Sequence, residues 1–361
     1  MQTRVHALLA ILMFVLPSCA TTTTRIAPVS PERVRAEEAR QREIVLREIA
    51  AEQHRLDSLA FPLLIAAADV CGEKHGPVWG FRVDGAQEYE GPWREAVLAN
   101  GLEEGIVVTS VIAGSAADRG GLRRGDRIIA LDGDQLSGKR GAVADLRLAF
   151  AAVARARGGA RVEYERAAVR HSTVLEPDSG CAVGTIVTPE GGINAFADGR
   201  NIIFPWAMMR FADDTELRVV IGHEIAHNAM RHIEARKKNA LFGAILGALG
   251  DVALASQGVN TGGQYAAEFA AAGARAYSQD FEREADYVGL YILARAGLPL
   301  ENAPMLWRHF AQIDPGSIAY ASTHPTTAER FVRLEATAKE IERKRAAGQP
   351  LLPEMKAKSA K

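Results

Sequence analysis

The chain has 361 residues, of which 48% are hydrophobic and 24% charged, a composition suited to a globular protein of about two domains. Its formal net charge is −1, which argues against a nucleic-acid partner and against a strongly basic membrane-binding face.

The N-terminus stands apart from the rest. Arg4 and His6 precede an apolar run at residues 7–16, about ten residues long, the length of a signal-peptide core rather than a membrane span. Residues 1–18 are therefore read as a signal peptide. The run ends in Leu16-Pro17-Ser18-Cys19, which resembles a bacterial lipoprotein cleavage site. That resemblance implies a lipidated Cys19, a periplasmic protein and membrane contact through the lipid anchor only. Ala20 after the cysteine, by similarity to sorted lipoproteins, implies the outer membrane. Cleavage after another small residue is the open alternative. Residues 19–31 form a Thr/Pro-rich tether without apolar periodicity. Residues 32–70 read as a helix packing on the body that follows, with Ile44, Leu46, Ile49, Leu56 and Leu59 interleaved with charge; Pro62 is expected to break or kink it.

Between residues 71 and 180 the pattern changes to short strands and glycines. Residues 105–111 read as a strand and 114–117 open a short helix. Gly121-Leu122-Arg123-Arg124-Gly125-Asp126 then leads into a strand over 128–131 that ends in the Asp132-Gly133 turn. This string is similar to the PDZ domains of bacterial periplasmic proteases. The resemblance implies a groove-lining helix over 146–153, a closing strand over 160–168, and capture of C-terminal peptides by strand addition. Trp79-Gly80-Phe81 is the candidate carboxylate-binding loop, and a PDZ-shaped spacer without ligand is the alternative. Cys71 and Cys181 flank the module and, in an oxidising compartment, are expected to form a disulfide at its neck.

Residues 181–345 carry the chemistry. Short strands over 185–187 and 199–204 flank Asn194-Ala195-Phe196-Ala197, whose edge would pair with an extended substrate backbone. Residues 219–232 read as one buried helix capped by Asp213 or Asp214, and contain His223-Glu224-Ile225-Ala226-His227. Four residues advance a helix by slightly more than a turn, so His223 and His227 project from one face about 6 Å apart along the axis. Two imidazoles so placed can grip one zinc ion, with Glu224 beside it as general base. His232, about 140° further round the same helix, is read as structural. Residues 241–256 are apolar and glycine-rich, short for a membrane span, and are read as a buried helix or a flap over the cleft. In residues 277–289, Glu282 and Asp286 share a helix face: Glu282 as third ligand, Asp286 accepting the outer N–H of a ligating histidine, and Glu284 solvated on another face.

With these residues in place the chain resembles the zinc metallopeptidases that include HtpX and the CAAX prenyl proteases. His-Glu-x-x-His, then Glu282 in Glu-x-x-Ala-Asp, implies one zinc ion per chain held by His223, His227 and Glu282. Asn194-Ala195-Phe196 resembles the family's cleft-bordering strand, and Thr323-His324-Pro325 with Arg330 its segment beside the metal. The resemblance places His324 and Arg330 near the developing oxyanion; His324 is alternatively a latch on the open metal position. Ser278-Gln279 stands where many members have Ser-Arg. The expected fold is α+β: a mainly helical zincin-type domain with a small edge sheet, and an inserted PDZ-like β-rich domain. Residues 346–361 read as a disordered tail. The expected activity is hydrolysis of misfolded or extended envelope proteins; the alternative is a PDZ-mediated, chaperone-like binder that rarely cuts.

Overall fold

The computed structural model describes residues 24, 27–257, 259–275, 278–313 and 328–355, which fall into two compact units, 1–41 and 42–361. Helix α1 (Pro31–Ala66) begins in the first unit, where the Ser30 hydroxyl accepts from the Arg33 amide at 3.3 Å. Its second half belongs to the second unit and is anchored there by Leu56, Leu59, Ala60, Leu63 and Leu64, a helical i, i+3, i+4, i+7 stripe. The helix runs through Pro62 without a break, contrary to the expectation from sequence. Proline costs a helix interior about 3 kcal/mol, and each leucine buried on either side of Pro62 returns roughly 1.5–3 kcal/mol. The helix stops at Ala66, and residues 68–70 form a separate 3-10 turn.

The PDZ-like body is an antiparallel sheet in the order β2-β3-β4-β6-β7, with β5 hooked onto β4. Before it, β1 (His75–Val78) pairs with β8 (Asp178–Cys181), so the chain enters and leaves this body side by side. Cys71 and Cys181 are disulfide-bonded at that neck, their Cα atoms 5.6 Å apart. The sheet comprises β2 (Phe81–Asp84), β3 (Ile106–Val111), β4 (Arg127–Leu131), β5 (Asp134–Gln135), β6 (Ala160–Arg166) and β7 (Val169–Leu175). The β4–β5 turn holds Asp132 and Gly133 at φ of 51° and 94°, the primed-turn conformation that Asp-Gly supplies. Helices α2 (Gly91–Ala99), α3 (Ala116–Arg119) and α4 (Ala142–Arg157) accompany it, and Leu146 and Phe150 of α4 enter its core with Val83, Val108, Ile128 and Val162.

The second core joins α1 to a three-stranded sheet, β10-β11-β9, and a helical array. Strand β9 (Gly184–Thr188) runs parallel to β11 (Asn201–Pro205), and β10 (Phe196–Ala197) is antiparallel at the edge. Then come α5 (Trp206–Phe211), α6 (Asp214–Ala229), α7 (His232–Ala255), α8 (Gln264–Arg275), α9 (Ser278–Arg295), α10 (Met305–Ile313) and α11 (Ala328–Ala346). Two expectations need correction here. The zinc-helix reading over 219–232 does not hold as one helix: Arg231 adopts a left-handed φ of 60°, ends α6 and lets His232 begin α7 in a new direction. Nor are residues 241–256 a buried helix. Of the α7 residues only His232, Gly243 and Gly247 are buried, because beyond its base α7 leaves the core and packs on α8 through its glycines.

Candidate metal centre

Helix α6 starts from a capping box: Asp213 accepts from the amides of Thr215 and Glu216 at 2.8 and 2.9 Å, and Glu216 accepts from the Asp213 amide at 3.2 Å. Arg55 of α1 fixes this end by donating to Asp214 and to the carbonyls of Met209 and Ala212. From Val219 to Ala229 every residue of α6 is buried, including His223, Glu224 and His227. Burying three such side chains has a purpose only if they are paired or hold a charge.

The partner helix is α9, and glycine sets the approach. A Cβ on Gly222 would lie 2.4 Å from Leu293 Cδ1, and one on Gly289 would lie 3.1 Å from the His223 amide nitrogen. With backbones this close, Asp286 and Glu282, one and two turns before Gly289, stand beside the histidines. His223 Nε2 and His227 Nε2 are 3.0 Å apart, and Glu282 reaches them at 3.3 and 3.4 Å. Ligand atoms bound tetrahedrally to one zinc ion sit about 3.3 Å apart, so two imidazole nitrogens and a carboxylate arranged this way fit a single such ion.

Around these three lies a layer that fixes them. His223 Nδ1 faces Asp286 Oδ1 at 2.9 Å, and Asp286 accepts two bonds from Arg330 at 2.6 and 2.7 Å. Arg330 is itself buried, lies over the Trp307 ring at 3.7 Å and approaches Glu282 at 3.6 Å. On the other side, His227 Nδ1 faces His232 Nδ1 at 3.0 Å, and His232 Nε2 faces Glu284 at 2.8 Å, with Phe281 stacked on the His232 ring. Burial works against charge on His223, yet Asp286 and Glu282 outweigh it and raise its pKa to about 10. Burial pushes His227 down to about 4. Asp286 is lowered against its burial, chiefly by Arg330. Glu282 and Asp286 thus favour positive charge at His223, where a metal ion would supply it.

The sequence matches the model of "Peptidase family M48" over residues 163–338 and that of "PDZ domain" over residues 73–147. The chain carries a peptidase M48 domain behind a PDZ domain. It is 31% identical over 155 residues to the mitochondrial metalloendopeptidase OMA1 of Arabidopsis thaliana, covering 42% of this chain and 30% of that protein. It is 34% identical over 121 residues to the beta-barrel assembly-enhancing protease of Escherichia coli strain K12, covering 31% of this chain and 25% of that protein. The chain therefore spans less than a third of either relative's length. A crystal structure of the HtrA3 PDZ domain bound to a phage-derived ligand aligns with a TM-score of 0.22 and 18% identity, over 29% of this chain and 88% of that one.

The M48 domain brings together His223, Glu224, His227, Glu282, Asp286 and Arg330, while His324 lies outside the described residues, as does Cys19. The guanidinium of Arg330 donates to Asp286, the carboxylate behind His223, and also approaches Glu282. Glu284 is exposed, in line with the expectation, and in addition pairs with His232, which the break at Arg231 turns towards α9. Asn194 is half-buried, Ala195 buried, and Phe196 exposed on the edge strand β10. Asn228, which the sequence did not single out, ties that strand pair to α6: its Oδ1 accepts from the Gly199 amide at 2.9 Å and its Nδ2 donates to the Asn201 carbonyl at 3.1 Å. In the PDZ domain the Trp79 and Phe81 rings rest against Phe150 at 4.9 and 5.4 Å, and Gly80, at φ 73°, leaves no room for a Cβ beside Ser115.

Proposed function

We propose that this chain is a zinc-dependent metalloendopeptidase of the bacterial cell envelope. The observation that carries the reading is the convergence of His223, His227 and Glu282 on one buried point, with Asp286 behind His223. Zinc bound there would lower the pKa of a water molecule and act as a Lewis acid towards the scissile carbonyl. Glu224, one residue along α6 from His223, takes a proton from the attacking water and returns it to the leaving amine. The exposed edge of β10 aligns an extended substrate by backbone pairing, which would accept misfolded chains of varied sequence. Asp286, fixed by Arg330, keeps the His223 ring aimed at the metal.

Residues 1–18 act as a signal peptide in this reading, and Cys19 as the lipidated residue of an outer-membrane-anchored periplasmic protein. The similarity to a protease named for β-barrel assembly supports that placement. Strand β2 is the end strand of its sheet, so a C-terminal peptide would add there, beside Trp79-Gly80-Phe81. The test is cleavage of casein by the purified chain with and without a chelator. Loss of cleavage on chelation and recovery with zinc is the expected result; chelator-insensitive cleavage, or none with zinc supplied, contradicts the proposal. A chaperone-like role would instead survive Glu224→Gln in cells, whereas the peptidase role would not.

A further inference from the structure

Helix α7 leaves the M48 core beyond its base and pairs with α8 to form a hairpin held by glycines. Cβ atoms on Gly243, Gly247 and Gly273 would each lie 2.0–2.1 Å from a carbonyl oxygen of the opposite helix, so the two backbones touch. The face of α7 turned away from α8 carries Leu241, Phe242, Ile245, Leu246, Leu249 and Val252, each 43–68% exposed. Six large apolar side chains in helical register form a patch that a protein surface in water does not sustain without a use. The helix is long and apolar enough to cross a membrane, but its surroundings point elsewhere. The exposed side of α8 carries Gln264 bonded to Glu268, and Arg275, together with Tyr265 and Phe269 at 39% and 46% exposed, and the turn between the helices carries Asn260 and Thr261. A hairpin with an apolar face on one helix, a carboxylate and an amide exposed on the other and a polar tip suits the plane of an interface rather than a span across it.

Charge supports a lipid partner. Arg236, Lys237 and Lys238 are exposed at the base of α7, where anionic headgroups would meet them. Asp251 is the one charged residue from 239 to 255. Its carboxylate is satisfied inside the hairpin, accepting from the Thr261 hydroxyl at 2.5 Å and from the amides of Tyr265 and Ala266 at 3.2 and 2.9 Å. We propose that the α7–α8 hairpin lies in the plane of an anionic phospholipid surface, with the α7 face in the acyl region and α8 towards water. This goes beyond the peptidase reading and does not depend on it. If both hold, the metal centre works beside the membrane, since His232, behind the ligand His227, is also the first residue of α7.

The test uses the full chain with Cys19→Ser, so that an environment-sensitive fluorophore can be placed on Leu249→Cys or, separately, on Glu268→Cys. Vesicles of phosphatidylethanolamine and phosphatidylglycerol are the probe. Because the apolar run at 7–16 could itself bind vesicles, the readout is depth rather than binding. The Leu249 label should brighten several-fold, shift to the blue and be quenched by nitroxides on the acyl chains, while the Glu268 label stays in water. No acyl-chain quenching at Leu249 overturns the proposal, and so does equal quenching at both positions. Concentration-dependent burial of the Leu249 label without vesicles also overturns it, in favour of a second copy of the chain.

Discussion

His227 is gripped from behind by a residue that helical geometry alone would send elsewhere. With Nε2 turned to the metal position, its proton sits on Nδ1 and is donated to His232 Nδ1; His232 then carries its own proton on Nε2 and donates to Glu284. His232→Ala should weaken zinc affinity about 10–100-fold. Competition with a chromophoric chelator would measure it, and an unchanged affinity would remove His232 from the account. His223 gives a second prediction. Its pKa of about 10 in the metal-free protein means that a proton must leave before a metal binds, so affinity falls as pH falls. Near pH 8, zinc binding should release close to one proton, read by calorimetry in buffers of different ionisation enthalpy; no buffer dependence would contradict it. The spacing of His223, Glu224 and His227, and of Glu282 and Asp286, made most of this centre legible in the sequence. The roles of His232 and Glu284 were hidden because they depend on the left-handed backbone at Arg231, which no local residue preference announces.

At the scale of elements, the approach of α6 to α9 matters more than either helix. Gly222→Ala would press a methyl group into Leu293 and the Gly289 carbonyl, 2.4 and 3.2 Å away. Overpacking of this kind costs roughly 1–3 kcal/mol, and here it also pushes Glu282 away from the histidines. Thermal denaturation should show the loss, with metal affinity falling in parallel; a neutral Gly222→Ala would mean that the helices separate at no cost. Composition could not foresee the exposure of α7. An apolar, glycine-rich run is the same string whether its neighbour is a protein core or a lipid surface, and only the packed structure shows that the core does not cover it. Strand β7 was equally hard to read, because its hairpin turns through Ala167 and Ala168 at φ of 50° and 62°, conformations alanine rarely takes.

For the molecule within residues 42–361, one buried ion pair ties three parts together. Asp57 of α1 is buried and accepts from Arg82 of β2, from Gln53 at 3.0 Å and from the Thr185 hydroxyl of β9 at 2.5 Å; Arg82 also donates to Thr185 Oγ1 at 2.7 Å. The residue after the candidate PDZ carboxylate loop is thereby bonded to the sheet whose edge borders the metal centre. Arg82→Met would leave a buried carboxylate without its cation. Complete burial of such a broken pair costs 3–5 kcal/mol; with Arg82 about a quarter exposed, roughly 2 kcal/mol is expected, seen as a lower denaturation midpoint. The glycine-rich string and the two flanking cysteines announced the inserted domain. Nothing local announced this tie, because Asp57, Arg82 and Thr185 are separated by 25 and 103 residues and meet only in the folded chain.

The central claim is that three side chains hold one zinc ion which Glu224 uses for peptide hydrolysis. Metal content and casein cleavage, measured together on the wild-type chain and on Glu224→Gln, test it most directly. One zinc per chain in both proteins is expected, with cleavage reduced about 10²–10⁴-fold in the variant. Absence of stoichiometric zinc from the wild type, or undiminished cleavage by Glu224→Gln, would contradict it.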